Sequence, residues 1–149
     1  MDTSAIVKHY VDEPGSAWLR AQIVAADLPV SSQLLLVEVL SAFNRLVRES
    51  ALTPAEYQRL RDIFREDSRT LFGIIPLQTA IVDSAGALLE RHPLRSYDAI
   101  HLATALTAQQ SFQQRGLTPL IFFSADDRLN DAASAEGLAV DNPNRHLQP

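Results

Sequence analysis

Short apolar runs alternating with longer helical patterns place this 149-residue chain in the α/β class, with a mainly parallel central sheet covered by helices on both faces. Two observations carry that prediction. The runs Leu28–Val30, Leu71–Pro76 (LFGIIP), Leu120–Phe123 and Leu138–Val140 have the length and composition of buried strands. Between them lie stretches whose apolar residues recur at helical spacing, the arrangement of βα units.

In chain order, Ser4–Val11 has helix-compatible spacing and is stopped by the turn residues Asp12-Glu13-Pro14-Gly15. Ser16–Ala26 carries Trp18, Leu19, Ile23 and Ala26 on one helical face. Leu28–Val30 is the first strand, and Ser31 or Ser32 is positioned to cap the long helix Gln33–Ser50. Thr53-Pro54-Ala55-Glu56 is a capping-box pattern with Pro at the first helical position, opening a helix to about Arg69. After the strand Leu71–Pro76, a helix over Gln78–Arg91 is ended by His92-Pro93, with Asp83 on its solvent side. Ser96 caps a helix over Ser96–Gln114, closed by Gly116 as the C′ residue. Leu120–Phe123 is the clearest strand. Asp126–Glu136 is a short helix ended by Gly137, and Leu138–Val140 a last strand before a polar tail, residues 141–149. The whole, residues 1–149, reads as a single domain, a size at which about 68–70% of the unfolded surface is buried.

Composition narrows the function. Hydrophobic residues make up 46% and charged residues 21%, as in an ordinary globular protein. A net charge of −5 gives no bulk attraction to nucleic acid, so binding of that kind needs a local basic patch or cations held by acids. The absence of cysteine excludes disulfides and thiolate zinc sites. No secretory apolar region opens the chain, and no apolar run approaches the ~18 residues of a membrane span; a cytoplasmic location without membrane contact is the expectation.

Four carboxylates adjoin core-forming sequence: Asp2, Glu38 within LLLVEVL, Asp98 within LRSYDAIHLATAL, and Asp126 after LIFFSA. Asp98 falls in the first turn of its helix, where it either compensates the dipole or lines a site. Glu38 sits among apolar residues and needs a partner: an ion pair with Arg45, or a divalent cation. Asp126 follows a strand, where ligands collect in open α/β sheets, whereas Asp127 has a structural reading as the N3 acid of a helix capped by Ser124. Thr3 and Ser4 add hydroxyls beside Asp2. His101 reads as a packed or supporting residue, and His9, His92 and His146 lack metal-ligand spacing. The set is all oxygen, which suits Mg²⁺ or Mn²⁺ and phosphoryl chemistry. Arg61, Arg65 and Arg69 form a basic stripe on one helix, facing RNA, an acidic partner or a sister subunit, or else balanced by Asp62, Glu66 and Asp67.

The segments DTSAIVKHYVDEPGS, VEVLSAFNR, RSYDAIHLATAL and FFSADDRLNDAASAEGL, in that order, resemble the PIN-domain ribonucleases, most closely the VapC-type toxins of toxin–antitoxin modules. The resemblance implies a three-layer α/β/α fold and metal-dependent endonucleolytic cleavage of RNA. It implies an acidic quartet of Asp2, Glu38, Asp98 and Asp126 that binds Mg²⁺ or Mn²⁺ and activates a water. It also implies a cognate antitoxin partner and a homodimer. A haloacid-dehalogenase-like phosphatase would need an Asp where Ser4 stands, and a receiver domain a late Lys, whereas the only Lys is Lys8. The competing reading is a PIN-like binding module without catalysis, acting through a protein partner.

In PIN domains a strand of about four apolar residues precedes the first acid and lies mid-sheet, yet only Met1 precedes Asp2. The neighbouring strands would then carry unpaired backbone groups. The expectation is a first strand that is short or absent, the gap filled by residues outside this numbering. Otherwise the Met1 amine would lie beside the acids and compete with a cation for Asp2.

Overall fold

The computed structural model describes residues 1–146; Leu147–Pro149, the end of the expected polar tail, lie outside the described residues. The elements in order are α1 (Thr3–Tyr10), α2 (Ser16–Ala25), β1 (Val30–Ser32), α3 (Leu35–Arg48), α4 (Pro54–Thr70), β2 (Gly73–Ile75), α5 (Thr79–Arg91), α6 (Ser96–Gln114), β3 (Ile121–Phe123), α7 (Asp127–Ala135) and β4 (Ala139–Asp141). A 3-10 turn over Pro143–Arg145 follows. β1 pairs in parallel with β2, and β3 in parallel with β4. The α/β/α arrangement thus holds, with its sheet divided into two parallel pairs.

Alternation along the strands shows that both pairs occupy one layer. Ile74 packs into a core built by α1, α2, α3 and α4 (Ile6, Leu19, Phe43, Phe64), while its neighbour Ile75 packs into a core built by α5, α6 and α7 (Leu88, Leu102, Leu129). Phe123 and Phe122 divide between the same two cores. Successive side chains of a strand point to opposite faces, so the two cores lie above and below the strands.

Local chemistry explains where elements begin and end. Thr53 and Glu56 close the capping box reciprocally, Glu56 N donating to Thr53 Oγ1 at 3.2 Å and Thr53 N to Glu56 Oε2 at 2.7 Å. At the end of α6, Leu117 N donates to Phe112 O and Gly116 N to Gln113 O, with Gly116 at φ +66°: a Schellman closure that needs a left-handed residue. On the basic stripe, Arg61 pairs with Asp62 and Arg69 with Glu66, while Arg65 is exposed and makes no ion pair among the described residues.

Several caps differ from the sequence reading. Ser31 and Ser32 belong to β1, and both are buried; Ser31 Oγ donates to Met1 O at 2.8 Å, whereas Ser32 Oγ accepts Leu34 N at 3.3 Å just ahead of α3, and Gln33 N continues the ladder to Ile75 O. Ser96 is the first residue of α6, the extended cap position being taken by Arg95. The polar tail starts later than expected, since Asp141 completes β4.

Between β1 and β3 lies a cavity of about 420 Å³, bordered by Pro29, Val30 and Ser31 on one side and Ile121, Phe122 and Phe123 on the other. Among the described residues, Met1 and Asp2 bond to both edges of it. The Met1 amino group donates to Val30 O at 3.0 Å, and Asp2 N donates to Phe123 O at 3.1 Å. Burial lowers the pKa of that amine to about 6, against an opposing pull from Asp2. Three or four apolar residues added ahead of Met1 are expected to pair with both edges and raise Tm by about 3–6 °C, from ~1–2 kcal/mol of pairing and burial. Thermal melts of the two versions side by side check this, and an unchanged Tm would mean that the sheet closes without a central strand.

Candidate acidic site

Asp2 is the most enclosed of the four acids, 5% exposed. As the N-cap of α1 it accepts Ala5 N at 3.0 Å on Oδ1. Ser4 Oγ donates to both of its oxygens, and Ser124 Oγ, fully buried, donates to Oδ2 at 3.0 Å. The hydroxyls of Thr3 and Ser4 both hold carboxylates, Thr3 that of Glu38 and Ser4 that of Asp2.

Glu38 is half-buried and, among the described residues, makes no ion pair with Arg45. Its Oε2 accepts Thr3 Oγ1 at 2.9 Å and lies 2.5 Å from His101 Nε2. Burial pushes its pKa up, but the bonds from His101 and Thr3 and the imidazole's charge outweigh it, leaving Glu38 below the ordinary value. His101 itself is 3% exposed, and its Nδ1 is buried with no hydrogen-bond partner among the described residues. Sequence reading placed it as a supporting residue without identifying Glu38 as what it supports; the two are far apart along the chain and no local spacing links them.

Asp98, in the first turn of α6, contrasts with Glu38. Burial is the main reason its pKa is raised; the negative charges of Asp126 and Asp2 add to the rise, and a hydrogen bond from the Arg95 backbone and the Arg95 charge oppose it. The site is therefore short of positive charge around Asp98.

At the fourth position the structural roles are the reverse of those read from sequence. Asp126, not Ser124, caps α7, accepting Arg128 N at 2.8 Å and Leu129 N at 3.4 Å, with the Arg128 guanidinium 3.5 Å from its other oxygen. Ser124 Oγ instead accepts Asp126 N and donates to Asp2. Asp127 is exposed and held by Asn142 and Arg145. Of the two neighbours, Asp126 is the one whose charge reaches Asp98.

Asp98 thus lies within electrostatic reach of both Asp2 and Asp126, and Glu38 is tied by Thr3 to the residue next to Asp2. Among the described residues, no three His, Asp or Glu side chains stand at spacing that would hold a metal ion. The oxygens of Asp2 and Asp126 are engaged by hydroxyls and backbone N–H groups, and Glu38 by His101. In donor chemistry the set fits a hard divalent cation: carboxylates and hydroxyls, with a partly buried acid whose charge its neighbours oppose.

A raised folded-state pKa means that folding favours protonated Asp98. The penalty is absent below the ordinary carboxylate value and fully present above the raised one. Asp98→Asn is therefore expected to raise Tm by roughly 1–3 °C at pH 7 in metal-free buffer, the gain vanishing as pH falls below that range. Melting curves of parent and variant across pH 3 to 7 check the sign.

A family model described as PIN domain matches residues 1–135. Over 145 residues the chain is 37% identical to Ribonuclease VapC46 of Mycobacterium tuberculosis (strain ATCC 25618 / H37Rv), covering 96% of this chain and 95% of that protein. It is 34% identical over 141 residues, 93% of this chain and 91% of the relative, to Ribonuclease VapC45 of strain CDC 1551 / Oshkosh and to Ribonuclease VapC49 of strain ATCC 25618 / H37Rv of the same species. The α/β/α layering, the match along most of its length and the relatives together establish that this chain belongs to the PIN-domain family.

Proposed function

We propose that the protein is a Mg²⁺- or Mn²⁺-dependent endoribonuclease, the toxin of a VapBC-type toxin–antitoxin pair, with Asp2, Glu38, Asp98 and Asp126 as its metal-holding and catalytic acids. The observation that carries this reading is Asp98: a partly buried carboxylate facing two more acids, with its charge under-compensated, as expected where a cation completes the site. The VapC ribonucleases to which the chain is similar supply the reaction class.

Each residue then has a task. Asp98, Asp2 and Asp126 hold the cation, Asp2 pre-oriented by Ser4 and Ser124, and Asp126 by the N-terminus of α7. Glu38, kept ionised and aimed by His101 and Thr3, supplies a fourth carboxylate. A bound divalent cation contributes neutralisation of the scissile phosphate and acidification of a water. No protein nucleophile is required: the chain has no cysteine, and the hydroxyls of Ser4 and Ser124 are spent on Asp2. An antitoxin segment over the pocket and a homodimeric assembly complete the proposal, as does a cytoplasmic setting. Among the described residues no helix is long and apolar enough to cross a membrane.

Incubating the protein with single-stranded RNA is expected to give cleavage that requires Mn²⁺ or Mg²⁺ and stops with EDTA. Asp98→Asn is expected to lose at least ~100-fold in rate, as when a group acting on the transition state is removed, while its Tm at pH 7 stays at or above the parent's. Absence of metal-dependent cleavage by the parent, with an antitoxin partner still bound, would favour a catalytically inactive binding module.

A further inference from the structure

Two adjacent carboxylates, Asp126 and Asp127, open α7, and the turn after β4 treats them differently. Asp126 caps the helix, while Asp127 Oδ1 accepts Asn142 Nδ2 at 2.8 Å and the Arg145 guanidinium at 3.0 Å. Asn144 Nδ2 reaches Ala125 O at 3.4 Å, so three side chains of this turn fasten the segment that carries both acids.

The turn is in turn fixed to the body of the protein. Asn142 is 4% exposed, and its own Oδ1 accepts Asn144 N at 2.9 Å. Pro143 is buried against the start of α2, its carbonyl oxygen only 1.9 Å from where a Cβ on Gly15 would stand; only glycine, here at φ +82°, permits that approach. His146 lies flat on Trp18, ring centroids 3.8 Å apart and planes 1° from parallel, with Nε2 2.8 Å from the Asp141 carboxylate. So many anchors exceed what a surface tail needs.

We infer that residues 142–146 form a strap that draws Asp127 aside and neutralises it, so that an RNA strand approaching the acidic site meets no additional free carboxylate at its rim. Asn142 and Arg145 are positioning residues for RNA binding, acting through Asp127 rather than touching RNA. This rests on the ribonuclease reading above. The reason is electrostatic: the phosphate backbone dominates nucleic-acid affinity, and a bare charge within about 10 Å of its path is only partly screened at 0.1 M salt.

The test is fluorescence anisotropy of a labelled single-stranded RNA with the full chain, in an Asp98→Asn background so that the RNA stays intact. Arg145→Ala, a change at an exposed side chain, is expected to weaken binding about 3- to 10-fold. Asp127→Asn alone, which leaves the Arg145 charge uncompensated, is expected to bind at least as tightly as the parent, and adding Asp127→Asn to Arg145→Ala restores affinity to within about twofold of the parent. Asn142→Ala follows the same pattern, and Arg145→Ala decides the matter if Asn142→Ala does not fold. A loss that persists in the Asp127→Asn/Arg145→Ala double variant means that Arg145 contacts RNA itself and overturns the proposal. So does an Arg145→Ala variant that binds like the parent. A parent chain that binds RNA without cleaving it overturns the nuclease reading instead, the strap being judged on the binding series alone.

Discussion

The Asp2 carboxylate is where the two halves of the molecule are joined. It is almost wholly buried, so the cost of desolvating it has to be met by hydrogen bonds. Those come from the first turn of α1, from Ser4 and from Ser124, while its backbone N–H reaches Phe123. Met1 makes the complementary reach, to Val30 and Ser31. Two residues therefore stitch together strand pairs that share no backbone ladder with each other. The position of α1, the closure of the sheet layer and the placing of β3 against the acids follow from that one satisfied charge.

Glu38 and Asp98 show how environment separates two carboxylates of one site. Glu38 has a histidine and a threonine on a single oxygen and is held ionised despite burial. Asp98 is partly buried and lies in the field of two more acids, which the backbone and charge of Arg95 do not offset, so its charge is disfavoured. Environments that push titratable groups apart mark functional sites more often than chance, because a packed core with no other purpose would pair or neutralise both. The Nδ1 of His101 belongs to the same picture: Nε2 is given to Glu38, and among the described residues nothing completes the bonding of the other ring nitrogen.

Much of this was legible in the residues. The capping box at Thr53 and Glu56, the αL glycine at 116 and the apolar periods are local signals, and local signals survive into structure. So are the positions of the four acids relative to their elements. What sequence did not disclose depends on distant partners. Ser31 looks as good a cap as Ser32 until Met1 is seen to need its hydroxyl, leaving Ser32 to accept Leu34 N. Ser124 looks like the cap of α7 until Asp2 claims it from the other end of the chain. Arg45, one of the two partners the sequence offers Glu38, is nearby along one helix, whereas His101 is brought in by a different helix. Asn142 and Arg145 were read as a polar tail, since nothing before them announces that Asp127 needs holding.

The bond between Ser124 and Asp2 joins residues 122 apart in sequence. Closing so long a loop is entropically costly and is repaid only when both ends are present, so contacts of this kind form late on a folding pathway. During synthesis the chain emerges from its N-terminus, and α1 has no β3 to dock on until most of the polypeptide has been made. Asp2 therefore waits, uncapped on one side, for the last third of the molecule. A chain interrupted before β3 carries three of the four acids without the Ser124 hydroxyl that holds Asp2.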